Sequence, residues 1–142
     1  MPGDKDEIDY VTIASAGNAT DFGDLSAGKG DLKGFDSSTR SVFMGGYIGP
    51  AYINIMEYVT TSSTGDVTDF GDLTEAIGLP GCTGNSTRGV RGGGAGEDPQ
   101  DRKSDVVDYV TIASTGDAAD FGDLTAGVHG KYATSNGHGG LS

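Results

Sequence analysis

Apolar and polar residues alternate over short stretches of this chain, and one such stretch occurs three times. It reads YVTIASTGDAADFGDL from Tyr109 to Leu124, and near-copies run from Tyr10 to Leu25 and from Tyr58 to Leu73. The first and third copies agree at 13 of 16 positions, and the second and third agree at 12 of 16. The chain is therefore interpreted as a three-copy repeat.

The pattern within each copy predicts a β-hairpin. Between Ile8 and Ala14 the side chains follow the period of two that is typical of a strand, with apolar groups on both faces. This predicts a strand buried on both sides, as in a sheet that lies between neighbouring sheets. The triplet Ala16-Gly17-Asn18 is typical of a turn, and Asp21–Leu25 predicts the returning strand.

The same few residue types recur at fixed places around each hairpin. We predict that the Tyr, Phe and Leu of each copy, and an Arg that precedes a following strand in two units, have structural roles in the repeat. They are Tyr10, Phe22, Leu25, Tyr58, Phe70, Leu73, Tyr109, Phe121, Leu124, Arg40 and Arg88. We expect the two arginines to pair with repeated aspartates inside the protein, and the alternative is that they bind a carboxylate or sugar acid.

The repeat period places the chain among known repeat architectures. Tyr10 and Tyr58 lie 48 residues apart, and Tyr58 and Tyr109 lie 51 apart. A period of about 50 residues is typical of kelch-type propeller blades. We predict one repeat domain over residues 1–142, with units at roughly 8–54, 55–105 and 106–142.

The residues around the glycine pairs resemble the kelch blade. An apolar run ends in Gly45-Gly46, and Asn54–Tyr58 and a turn follow. The kelch tryptophan is absent, and a Phe of each copy stands where that family has an aromatic residue.

A longer motif, DYVTIASTG…DFGDL followed by Ser-Thr-Arg and glycines, resembles a repeat in long proteins of marine bacteriophages, including phages of cyanobacteria. That resemblance spans Ile8 to Arg91 and implies a propeller-type fold and a tail-fibre or other virion component.

Composition favours an all-β chain. The chain of 142 residues contains 26 glycines, many Thr, Ser, Val and Tyr residues, and few good helix-forming runs. Its 9 Lys and Arg residues against 21 acids give a net charge of −12, which argues against nucleic acid as a partner. No apolar stretch approaches the roughly 18 residues that span a bilayer, and no export signal is readable.

Candidate chemistry is sparse. Carboxylates recur at steps of three in the second and third copies and would suit a hard cation such as Ca²⁺. These weak calcium candidates are Asp66, Asp69, Asp72, Asp117, Asp120 and Asp123. The competing interpretation is that they cap turns through nearby backbone N–H groups. No other cofactor is predicted.

Cys82, His129 and His138 are the remaining candidates for metal binding or nucleophilic chemistry. Their spacing does not bring them together, and a single cysteine cannot form a disulfide within the chain. We therefore predict no enzymatic activity, with a propeller hydrolase as the distant alternative.

The repeat count points to self-association. Propellers normally have about four to eight blades, so three units leave exposed sheet faces. We expect a homo-oligomer, either a ring completed by two chains or a filament. The predicted function is a structural, self-assembling virion or extracellular component. The alternative is a lectin-like module whose loops Ser26–Asp36 and Thr74–Asn85 bind carbohydrate.

Overall fold

The computed structural model describes residues 3–97 and 103–135, and every regular element in this part of the chain is a β-strand. The all-β prediction is confirmed for these residues. The strands are β1 (Glu7–Tyr10), β2 (Thr20–Asp24), β3 (Lys33–Asp36), β4 (Arg40–Met44), β5 (Tyr47–Ile48), β6 (Ala51–Tyr52), β7 (Ile55–Thr60), β8 (Thr68–Asp72), β9 (Gly81–Gly84), β10 (Arg88–Ala95), β11 (Lys103–Thr111) and β12 (Ala119–Val128).

The described strands form four antiparallel sheets. The N-terminal sheet is β1–β2, the middle sheet is β3–β4–β7–β8, and the C-terminal sheet is β9–β10–β11–β12. Strands β5 and β6 make a small separate hairpin. Because β4 pairs with β7 and β10 pairs with β11, each larger sheet combines the end of one sequence unit with the hairpin of the next. The predicted unit boundaries therefore fall within these sheets.

The three copies of the repeat form three hairpins with the same register: β1–β2, β7–β8 and β11–β12. The residue pairs nearest the turn are Tyr10–Thr20, Tyr58–Thr68 and Tyr109–Ala119. In each hairpin the pairing shifts by one residue just before the acid that precedes the Tyr, as at a β-bulge. Nearly identical sequence thus specifies the same strand register near the turn of each hairpin.

The hydrophobic core lies between the middle and C-terminal sheets. Its buried members are Phe35, Val42, Met44, Met56, Phe70, Leu73, Ile77, Val110 and Ile112. Gly89 of β10 lets the Phe35 ring pack directly on the backbone, since a Cβ there would lie 2.0 Å from that ring. Burying one Phe side chain contributes on the order of 2–3 kcal/mol, so this contact helps to hold the two sheets together.

Two predictions about local structure are wrong. The strand predicted from Ile8 to Ala14 ends at Tyr10, and most of it is exposed, because no described strand pairs with the free edge of β1. The segments 26–36 and 74–85, interpreted as loops, end in strands β3 and β9, which pair with β4 and β10. Glycines at Gly34 and Gly84 let the neighbouring strand approach these short segments closely.

Candidate functional site: the surfaces that join the repeats

Each repeat hairpin carries one aromatic pair in the same edge-to-face geometry. The ring centroids lie 5.9 Å apart in Tyr10–Phe22, 5.9 Å in Tyr58–Phe70 and 5.8 Å in Tyr109–Phe121. Edge-to-face pairs place the positive edge of one ring on the negative face of the other. The predicted aromatic residues therefore meet as pairs within one hairpin.

The repeated arginines contact these rings. The guanidinium carbon of Arg40 lies 4.4 Å from the ring centroid of Tyr58, and that of Arg88 lies 4.7 Å from Tyr109. The prediction that they pair with aspartates is wrong for the described residues. Strand pairing places each Arg opposite a Thr of the neighbouring strand, and the Tyr two residues from that Thr lies diagonally on the same face, where a cation–π contact forms.

Two of the repeated acids join one copy of the repeat to the preceding copy. The Oδ1 atom of Asp66 accepts a hydrogen bond of 3.1 Å from the backbone N–H of Asp24. Asp117 accepts the equivalent bond of 3.0 Å from the backbone N–H of Asp72. These carboxylates therefore accept hydrogen bonds from the backbone of the preceding copy. The prediction was that they cap turns within their own hairpin.

The calcium candidates do not meet as a ligand cluster. In residues 3–97 and 103–135, no group of three or more His, Cys, Asp or Glu side chains is placed to hold a metal ion. Asp120 Oδ1 accepts a bond of 3.2 Å from the Gly122 N–H in its own strand, as predicted for a capping acid. Asp24 is exposed, and partial desolvation, followed by the charges of Asp6 and Asp66, raises the pKa of its carboxyl.

Backbone hydrogen bonds at the outer edges of β2 and β8 form the same junction twice. The N–H of Gly65 donates to the Phe22 carbonyl over 2.7 Å, and that of Val67 donates to the Asp24 carbonyl over 3.0 Å. The loop of the third copy binds β8 in the same way. Its bonds are Gly116 N–H to Phe70 O at 2.7 Å and Ala118 N–H to Asp72 O at 2.8 Å.

A glycine lies under each of these loops. Gly23 and Gly71 have positive φ, and a Cβ on them would lie 2.3 Å and 2.5 Å from the carbonyl oxygens of Gly65 and Gly116. Gly122 is the equivalent residue of β12, with φ of +136°. No described residue lies within 4 Å of the Cβ position at Gly122, so the third strand has the glycine without the loop.

A second column of contacts links the units at another point. The N–H of Leu79 donates to the Asp31 carbonyl over 2.9 Å, and the N–H of Gly130 donates to the Leu79 carbonyl over 3.0 Å. All three residues have left-handed backbones, with φ of 58°, 53° and 64° in chain order. The units therefore follow one another by one repeated relation.

At the two ends of this array, apolar side chains are exposed at positions whose equivalents in the interior are buried. Phe70 is 1% exposed and Phe121 is 60% exposed. Val59 and Val110 are buried, whereas Val11, the equivalent residue of the first copy, is 57% exposed. Each end of the described array therefore has one side of such a junction, with its apolar groups exposed and no neighbouring copy packed on them.

Buried ion pairs hold the sheets internally, and the sequence-based predictions missed them. Lys29 Nζ lies 2.5 Å from Glu57 Oε2, and both side chains are buried. Arg91 pairs with Asp108, and both of these are buried too. An acid precedes the Tyr of every copy, and an acid inside an apolar strand is the signal that indicates such a partner.

The Arg91 cluster extends to a neighbouring loop. Arg91 Nη1 lies 2.7 Å from Glu75 Oε1, and Thr74 Oγ1 donates to Asp108 Oδ1 over 2.7 Å. These contacts bring Thr74 and Glu75, which come directly after the second copy, onto β10 and β11. Arg91 and Asp108 are fully buried, whereas the Glu75 side chain is partly exposed at the outer side of the cluster.

Two grooves border the N-terminal sheet. A cavity of about 570 Å³ has Ile8, Lys29 and Phe43 in its wall, and a second of about 480 Å³ has Phe22, Phe43 and Val59. A third cavity, of about 300 Å³, lies beside the edge-to-face pair Tyr47–Tyr52. This third cavity combines two aromatic rings with the carboxylates of Asp4, Asp31 and Glu97.

Cys82 has the environment of a core residue. Burial raises the pKa of its thiol to about 12, and its Sγ contacts Met44 Sδ at 3.5 Å. A thiol with so high a pKa stays protonated at neutral pH and is a poor nucleophile. His129 is exposed, and His138 lies outside the described residues.

Comparison with protein-family models returns no match, and comparison with curated proteins returns none. Among the described residues there is no helix of the length and apolar character that crossing a membrane requires. A functional proposal therefore depends on the geometry of the chain itself.

Proposed function

We propose that this protein is a non-enzymatic structural protein that assembles with copies of itself through its β-repeat units, as a virion or extracellular component. The observation that carries the proposal is the junction between successive copies, which occurs twice with nearly the same hydrogen-bond lengths. A module that stacks by one repeated relation is extended by further units of the same kind.

Exposed surface at the two ends supports the same proposal. The first copy leaves Val11 and Ile13 exposed, and the third leaves Phe121 exposed. Apolar groups clustered at an open sheet edge favour association with another β-structure. In the proposal, the larger sheets act as propeller-type blades, and several chains together complete a ring or extend into a filament.

Sedimentation velocity on the purified chain over a range of micromolar concentrations tests the proposal. We expect the weight-average sedimentation coefficient to rise with concentration and electron micrographs to show rings or filaments. A single monomeric species over the whole range would exclude a self-assembling structural role.

A lectin-like function is the second candidate, and the Tyr47–Tyr52 cavity favours it. Aromatic faces stack on the apolar side of sugar rings, and carboxylates such as Asp31 accept bonds from hydroxyl groups. A glycan array compares the native chain with Tyr52→Ala and with Tyr132→Ala, which alters an exposed Tyr outside this cavity. Binding that Tyr52→Ala removes and Tyr132→Ala preserves would support the lectin; no reproducible binding would exclude it.

A further inference from the structure

We propose that the outer edge of β12 at Phe121–Asp123 binds the loop Ala16–Ala19 of a second copy of this chain. This edge is called the tail and this loop the head. The inference rests on the proposed function and names its partner and its contact. It states that the junction between chains repeats the junction that already joins the copies within one chain.

The internal junction defines what each side must supply. The edge strand contributes two carbonyl groups, one N–H and a glycine that leaves room for the loop. The loop contributes two N–H groups and a side-chain oxygen. Both internal junctions satisfy this pattern, with hydrogen bonds between 2.7 and 3.1 Å.

The tail has every group that the edge strand supplies. Strand β12 is the outermost strand of the C-terminal sheet, as β8 is of the middle sheet. The carbonyls of Phe121 and Asp123 and the N–H of Asp123 correspond to the groups that β8 presents to the third-copy loop. Gly122 has the same positive φ as Gly71, with no described residue over it. The tail is therefore preformed for a loop of this kind.

The head has every group that the loop supplies. Residues 16–19 are exposed, and the N–H groups of Gly17 and Ala19 correspond to the donors Gly116 and Ala118. Asn18 stands where the internal loops have Asp66 and Asp117, and its amide oxygen is an equivalent acceptor. Because Asn is uncharged, it adds no charge beside Asp123 in a chain that already has a net charge of −12.

Apolar packing matches as well. Inside the chain, Phe70 packs in one buried cluster with Val110 and Ile112 of the following copy. The corresponding groups of the junction between chains are Phe121 on the tail and Val11 and Ile13 on the head. Ile13 is 98% exposed in the single chain, so both sides of this contact are open to solvent before assembly.

A repeated arginine supplies one more contact. Arg40 Nη1 donates to the Ile112 carbonyl over 3.0 Å, from the middle sheet to the following copy. Arg88 holds the same position in the C-terminal sheet and the same place over its Tyr. Its guanidinium is therefore placed to donate to the Ile13 carbonyl of the second chain.

This contact joins two different surfaces. A head-to-tail contact leaves a free head and a free tail after each addition, so it produces a ring or an open filament. A two-fold dimer, by contrast, would pair a surface with itself. The geometry therefore predicts complementation between chains that are blocked at opposite ends.

The test uses a tail-blocked variant, Phe121→Glu, and a head-blocked variant, Ile13→Glu. Both side chains are mostly exposed, and thermal unfolding checks that each variant remains folded. Alone, each is expected to self-associate at least about tenfold more weakly than the native chain, since a charge replaces buried apolar surface. Mixed, the intact tail of one binds the intact head of the other, and sedimentation velocity is expected to show a heterodimer.

The loop side chain gives a milder second test. Asn18→Ala removes the acceptor for the Asp123 N–H and is expected to weaken association about tenfold, whereas Asn18→Asp retains an acceptor and is expected to weaken association less, the added charge beside Asp123 being its only cost. Asn18 is exposed in the single chain, so neither change is expected to disturb folding.

The outcomes separate this inference from the proposed function. A native chain that stays monomeric would overturn both. A native chain that assembles, while the blocked variants assemble equally well or fail to complement each other, would overturn only the assignment of head and tail. Complementation in the mixture together with loss in each variant alone supports the junction.

Discussion

The second and third copies of the repeat agree at 12 of 16 positions, yet Phe70 is buried and Phe121 is mostly exposed. Both rings make the same edge-to-face contact with the Tyr of their own hairpin. The two hairpins differ in their next neighbour, because the loop of the third copy covers β8 and no described loop covers β12. The comparison shows that local sequence sets the hairpin, while position in the array sets what that hairpin buries.

The largest expected difference between the two hairpins is at this Phe. Phe70→Ala is expected to lower the free energy of unfolding by about 3–5 kcal/mol, because it opens a cavity in the core. Phe121→Ala is expected to cost no more than about 1 kcal/mol, because only its contact with Tyr109 is lost. Urea unfolding of the two variants in dilute solution measures both values. Equal losses would mean that β12 is buried in the isolated chain.

The acid before each Tyr gives the next comparison. Asp108→Ala leaves Arg91 with fewer partners in the interior and is expected to cost about 3 kcal/mol. Asp9→Ala, at the equivalent exposed position of the first copy, is expected to change stability by less than about 0.5 kcal/mol. Urea unfolding again provides the measurement, and a comparable loss in both variants would contradict a role for the buried pair.

Variants at the repeated glycine distinguish the stability cost of backbone strain from the cost of a clash with the next loop. Gly71→Ala and Gly122→Ala share the strain of a positive φ, but only Gly71→Ala drives a Cβ into Gly116. We expect Gly71→Ala to be less stable than Gly122→Ala by about 1–3 kcal/mol, the usual cost of overpacking. Thermal unfolding of both in dilute solution tests this, and equal melting temperatures would leave strain as the whole effect.

The smallest expected effect concerns the exposed Asp24, whose pKa is raised by partial desolvation and by the charges of Asp6 and Asp66. The folded state then binds the proton more tightly than the unfolded state, so stability falls as pH rises from the ordinary carboxyl pKa through the raised one. Asp24→Asn is therefore expected to raise the melting temperature at about pH 7 and to change it little at about pH 3. Asp123→Asn, at the equivalent position without a following loop, is the control. A gain in melting temperature for Asp24→Asn that persists at about pH 3 would show that the gain does not come from the ionised carboxylate of Asp24.

Much of the fold was predictable because hairpin signals are local. The period of two and the Tyr and Phe anchors lie within 16 residues, and the structure has a hairpin at each copy. The turn predicted at Ala16-Gly17-Asn18 is wrong, because the chain turns earlier, where the Ser15 N–H donates to the Thr12 carbonyl, and Gly17 lies in the loop beyond that turn. The strands β3 and β9 were missed because their glycines suggest loops. Their strand conformation depends on pairing with β4 and β10, which a local pattern does not report.

The arginines and acids show where prediction from sequence fails. The prediction that Arg40 and Arg88 pair with aspartates is wrong, because the register of strand pairing makes a Tyr ring the diagonal neighbour of each guanidinium. Asp66 and Asp117 were candidates for calcium binding or local capping, and they bond instead to the backbone of the preceding copy. Partners that lie a full repeat away depend on how the units stack.

The sequence by itself determined that this chain is all-β in its described residues, with a hairpin at each copy of the sixteen-residue stretch, because alternation acts over a few neighbouring positions. Only the tertiary structure decided which copy is covered and which is open. Burial depends on which unit lies beside each hairpin in space, so nearly identical residues became core at Phe70 and surface at Phe121. For the same reason, only the tertiary structure defines the tail at Phe121–Asp123, because the tail is the counterpart of the edges of β2 and β8 at the two internal junctions.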